Sequence, residues 1–113
     1  MLSLCGMVRL TVVLVASPPG SGHLLKALQS LLVPTRLEPG CLTCKAWSDP
    51  DSTVTYFEEW ATEQDVRRRV RSDRFKSLLA VMEASAEPPD VRFDFSTSTR
   101  GLEYIEELCQ GDP

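Results

Sequence analysis

The feature that most restricts how this chain can fold is the order in which its hydrophobic periods change. From Met7 to Val15 apolar residues alternate, with Val8, Leu10, Val12 and Leu14 on one side and Arg9, Thr11 and Val13 on the other, which predicts a strand with one face more apolar. Ser17-Pro18-Pro19-Gly20 interrupts it. Leu24, Leu25, Leu28, Leu31 and Leu32 then recur at helical spacing behind Ser21 as an N-cap, and Pro34 is expected to stop that helix. After the Pro39-Gly40 turn, Cys41–Ser48 alternates again, Asp49-Pro50-Asp51 turns the chain, and Val54–Trp60 completes an antiparallel hairpin. Thr62, with Asp65, opens a second helix carried by Val66, Val70, Phe75, Leu78, Leu79 and Met82, with a kink or restart at Ser72-Asp73. Pro88-Pro89 ends it, and Val91, Phe93 and Phe95 against Arg92, Asp94 and Ser96 predict a fourth strand.

The order is β-α-β-β-α-β, the ferredoxin-like α+β arrangement, with both helices on one face of an antiparallel sheet. We expect a single domain over 1–113, with a core from about 7 to 98 and a short docking helix from about 101 to 109 built on Leu102, Ile105 and Leu108. Nothing left in the chain is long enough to cover the bare sheet face, so a second copy of the sheet, in a homodimer, is the expected lid.

Charge and hydropathy narrow the partners. The chain has 12 Lys+Arg against 16 Asp+Glu, a net charge of −4, with 42% apolar residues, which does not suggest nucleic acid. Six basic residues fall together at Arg67, Arg68, Arg69, Arg71, Arg74 and Lys76, but Asp65 and Asp73 interleave with them, which reads as a solvated helix face. No apolar run approaches the ~20 residues that span a bilayer. The first residues lack a basic n-region and are interrupted by Arg9, so we expect no signal peptide and a cytoplasmic protein, with Met7 as an alternative start. In that compartment Cys5, Cys41, Cys44 and Cys109 are expected as thiols.

Cys41 and Cys44 form a Cys-x-x-Cys pair inside EPGCLTCKAW, which allows a metal or redox reading and an architectural one. In a regular strand, residues three apart point to opposite faces, so the pair is not expected to converge. The single histidine, His23, lies far along the chain at a helix start, and zinc wants further ligands.

The stretch Thr35-Arg36-x-Glu38-Pro39-Gly40-Cys41, then Tyr56-Phe57-Glu58-Glu59-Trp60, then Ser72-x-x-Phe75-x-x-Leu78, resembles the antibiotic biosynthesis monooxygenase (ABM) family, over about Val8 to Ser96. The resemblance implies a dimeric α/β barrel, two ferredoxin-like subunits packed sheet on sheet, with an apolar pocket between sheet and helices in each. It also implies oxidation of a small aromatic or quinol-like substrate by molecular oxygen without metal or flavin. Membership predicts fold better than reaction. Many members carry histidines in the second helix where this chain has Arg69 and Arg74, and the haem-degrading members' histidine falls at Leu79, so haem degradation is not implied.

Candidate site residues follow. Glu58 is a candidate base, and Arg69 and Arg74 are candidate partners for a phenolate or enolate, since a guanidinium can pair with an anion though it cannot act as a base. Tyr56, Trp60 and Leu79 are candidate substrate contacts. No cofactor and no metal is expected. The alternative is a non-catalytic binding or accessory homodimer of the same fold. An open apolar cavity would favour chemistry, and a sealed interior would favour the alternative.

Overall fold

A computed structural model describes residues 6–17, 21–95 and 98–110. The elements run β1 (Val8–Val15), α1 (Ser21–Arg36), β2 (Cys41–Ser48), β3 (Thr53–Trp60), α2 (Glu63–Val70), α3 (Asp73–Met82), β4 (Asp90–Asp94), β5 (Thr99–Arg100) and α4 (Leu102–Gln110). The antiparallel sheet has the order β2-β3-β1-β4-β5. This is the ferredoxin-like α+β fold expected from the sequence, with a two-residue fifth strand that the periodicity did not announce.

Alternation decides what is inside. Val8, Leu10, Val12 and Leu14 of β1 are buried beside Val54, Tyr56, Glu58 and Trp60 of β3 and Val91 and Phe93 of β4. The helices cover them with Leu24 and Leu28, Val66 and Val70, Phe75 and Leu78, and Tyr104, Ile105 and Leu108. The opposite sheet face carries Arg9, paired with Glu59 at 2.8 Å, and Lys45, whose ammonium sits 5.6 Å from the Trp47 ring and 5.5 Å from that of Phe57.

Two local expectations change, at Pro34 and at the cysteine pair, and a third, the restart at Ser72-Asp73, is met. Pro34 does not stop α1, which runs on to Arg36. Proline removes one N–H and one helical bond, and Thr35 holds the last turn by donating its hydroxyl to the Leu31 carbonyl at 2.7 Å. The second helix is two helices: the Ser72 hydroxyl accepts from the Phe75 amide at 3.3 Å and donates to the Arg69 carbonyl at 2.7 Å, closing α2 and capping α3 at once. Cys41 and Cys44 share a face. Cys41 pairs with Trp60, Thr43 with Glu59 and Cys44 with Glu58, so a bulge at Leu42 absorbs one residue and turns both thiols toward the helices. The expected N-cap Ser21 follows a break at 18–20 that lies outside the described residues.

Candidate functional site

The E-P-G turn before β2 is clamped to the start of α2. Gly40 adopts φ +85, which favours glycine, and a Cβ there would press on the Asp65 carboxylate and displace it from Thr62 and Arg68. Thr62 caps α2, accepting from the Asp65 amide at 3.1 Å. Arg68 donates to the Pro39 carbonyl at 3.0 Å, and the Ala61 amide to the Gly40 carbonyl at 2.9 Å.

Behind that turn lies a buried polar cluster. Glu58 Oε2 accepts from the Tyr56 hydroxyl at 2.5 Å and from Arg69 Nη2 at 2.7 Å, while Oε1 accepts from the Trp60 indole N–H at 2.8 Å. Arg69 reaches on through Nη1 to Glu38 at 3.1 Å, and its guanidinium lies 5.2 Å from the Phe75 ring centre. Tyr56, Glu58 and Trp60 are 0% exposed and Arg69 is 1% exposed. Every buried side-chain nitrogen and oxygen among the described residues has a partner, which is the condition under which a buried ion pair can persist.

The electrostatics follow from this packing. Burial works against the charge on Arg69, but the facing Glu58 carboxylate and its hydrogen bonds raise the guanidinium above its ordinary value. Burial and then the Glu58 charge raise the Tyr56 phenol. The Cys44 thiol, 3.3 Å from the Tyr56 oxygen, is pushed from 9.0 up to about 11 by burial. Burial and then the Glu58 charge raise Cys41 as well. Both cysteines are free thiols, kept protonated at neutral pH, and no group of metal-ligating side chains occurs among the described residues.

The structure therefore gathers four of the six candidate residues, Tyr56, Glu58, Trp60 and Arg69, and separates the other two. Arg74 is exposed on α3, beside a hollow shared with Leu31, Pro34 and Thr35 of α1. Leu79 lines a groove of about 300 Å³ together with Met82, Glu83, Pro89, Val91 and Leu102, between α3, β4 and α4. The lining is apolar except for Glu83. Met82, Val91 and Leu102 were legible as apolar positions of their elements, but only the docking of α4 brings them together. Tyr104 fixes that docking: its ring lies 4.9 Å from that of Phe93 and 5.3 Å from that of Phe95, and its hydroxyl donates to Glu63 at 3.1 Å. No helix among the described residues is long and apolar enough to cross a membrane.

Comparison with solved structures returns the same architecture. A conserved protein from Methanosarcina mazei Go1 is 20% identical, with a TM-score of 0.72 over 82% of this chain and 95% of that one. Protein SO0527 from Shewanella oneidensis is 18% identical, with a TM-score of 0.71 over 86% and 93%. A structure described as an antibiotic biosynthesis monooxygenase is 16% identical, with a TM-score of 0.66 over 79% and 97%. At such identities the likeness shows the fold alone. No curated protein matches the sequence. The sequence model of the antibiotic biosynthesis monooxygenases matches residues 7–81, from the start of β1 to the end of α3, and so takes in the clamped turn, the buried cluster and Leu79. This chain belongs to the antibiotic biosynthesis monooxygenase family.

Proposed function

We propose that the protein is a homodimeric monooxygenase that oxidises a small aromatic or quinol-like molecule held in the groove of Leu79, Met82, Val91 and Leu102. The observation that carries this reading is the groove itself, an open apolar concavity of ligand size on the helix side of the sheet. One oxygen atom of O2 enters the substrate and the other leaves as water, and the substrate's own oxidised carbon supplies the electrons. The protein contributes orientation and an apolar surround. Leu79 contacts the substrate, while Tyr56, Glu58, Trp60 and Arg69 act away from the groove by fixing β3 against α2. Arg74 faces another part of the surface and has no part in the site.

A second reading, a binding protein without catalysis, is favoured by one specific observation: the Glu58 carboxylate already accepts from Tyr56, Trp60 and Arg69 and has no exposed surface. A carboxylate so occupied is a poor base.

Oxygen uptake by the purified protein over a panel of hydroquinones separates the two. The oxygenase reading expects uptake above buffer that Leu79→Trp abolishes by filling the groove and that Arg74→Gln leaves unchanged. Binding of the same compounds without uptake would leave the binding-protein reading standing alone.

A further inference from the structure

The apolar groove has a charged neighbour. Leu79 also lines a second hollow, of about 200 Å³, with Arg71, Ser72, Lys76 and Leu108. Arg71 and Ser72 in turn belong to a third concavity, with Gln64, Arg67 and Arg68. Gln64, Arg67, Arg68 and Arg71 follow at i, i+3, i+4 and i+7, so α2 and its C-cap present them as one stripe. The three concavities are therefore neighbours, the first two meeting at Leu79 and the last two at Arg71 and Ser72, apolar toward Met82 and Val91 and basic toward the Ser72 end of α3. Leu79 comes seven positions after Ser72, about 10 Å along a helix at 1.5 Å per residue.

The charge at the basic end is unusual for this chain. Residues 67–76 carry six basic side chains and one acidic one, against six basic and fifteen acidic in the rest, and four of the six, Arg67, Arg68, Arg71 and Lys76, line the second and third concavities. Of the six, Arg69 is buried, Arg74 lies on another face, and Arg68 is held by the largely covered Asp65 carboxylate and the Pro39 carbonyl, while Arg67 and Lys76 make exposed pairs with Glu63 and Asp73, a kind of contact that holds weakly against water. Arg71 donates its Nε to the Leu108 carbonyl at 3.3 Å, and among the described residues no carboxylate pairs with it.

We infer that the ligand of the groove has an apolar body and an anionic head group, with the body on Leu79, Met82 and Val91 and the head on Arg71 and its neighbours Arg67, Arg68 and Lys76. This rests on the reading that the groove binds a small molecule. A guanidinium offers an oxyanion two parallel hydrogen bonds, and the surrounding negative surface disfavours the same anion elsewhere.

Two fluorescent dyes with one ring system test it: anilinonaphthalene sulfonate, which carries an anion, and phenylnaphthylamine, which does not. The sulfonate is expected to bind at least about tenfold more tightly, with an affinity that falls as salt rises. Arg71→Gln and Lys76→Gln should each remove much of that preference and leave the neutral dye unchanged. Lys76 does not hold α4, so its variant answers even if Arg71→Gln loosens that helix, which thermal melting would reveal. Equal affinities untouched by either variant would overturn the inference and leave the groove reading intact. Binding of neither dye would remove the groove reading and this inference with it. Leu79→Trp should weaken both dyes together.

Discussion

Arg69 Nη2 stands 2.7 Å from Glu58 Oε2 with both side chains buried, so one ion pair joins the second half of β3 to the last turn of α2 inside the protein. Removing one partner of such a pair strands the other charge. Glu58→Gln and Arg69→Met are each expected to destabilise the fold by about 3–5 kcal/mol, and the double variant by clearly less than the sum. Urea unfolding of the four proteins measures the coupling. Additive effects would mean that the pair is not a unit.

The E-P-G turn holds the rim of the same cluster. Gly40→Ala places a methyl group against the Asp65 carboxylate and forces an L residue to φ +85. A loss of about 2 kcal/mol or more is expected. A drop in melting temperature that Asp65→Gly partly restores would assign the cause to the clash and not to the backbone alone.

Much of this was legible in the sequence. Val8, Leu10, Val12 and Leu14 alternate cleanly because one sheet face is buried and the other is not, and Tyr56, Glu58 and Trp60 could be placed on one side of β3 by the same period. What escaped reading depended on partners distant in the chain. The bulge at Leu42 has no local signal strong enough to displace simple alternation, yet it decides that Cys41 and Cys44 look the same way. Arg69 reads as one of three consecutive surface arginines, and only the position of Glu58 on the neighbouring sheet explains why this one is buried. The groove needed the placement of α4, which meets β4 through Tyr104.

The buried thiol gives a pH dependence with a definite sign. Cys44 is raised in the folded protein from 9.0 to about 11, so its contribution to stability is complete below pH 9 and is lost as pH rises toward 11. In that window the unfolded chain gives up a proton that the folded chain keeps, and unfolding free energy should fall by roughly 1 kcal/mol per pH unit from this group. Cys44→Ala is expected to flatten the slope between pH 9 and 11 relative to the native protein in urea melts. An unchanged slope would show that the thiol is not held protonated by its surroundings.

The sheet face away from the helices bears on the proposed pairing of two copies. Thr55 lies on this face, between Val13 of β1 and Trp47 of β2, and is 8% exposed in a single chain. If a second sheet covers this face, Thr55→Asp buries a carboxylate in each protomer with no basic group directly opposite it on its own sheet, and a buried unpaired charge is among the most unfavourable arrangements a protein can hold. Sedimentation at micromolar concentration should show the native protein as a dimer and Thr55→Asp as a monomer, with dimer affinity weakened about a hundredfold or more and the far-ultraviolet circular dichroism unchanged. Glu59→Gln supplies the comparison. Glu59 shares the face but is matched by Arg9 at 2.8 Å within its own chain, so its neutralisation should move the dimer equilibrium much less. A native protein that sediments as a monomer would remove the sheet-to-sheet pairing, while the groove and the buried cluster, described from residues of one chain, would stand.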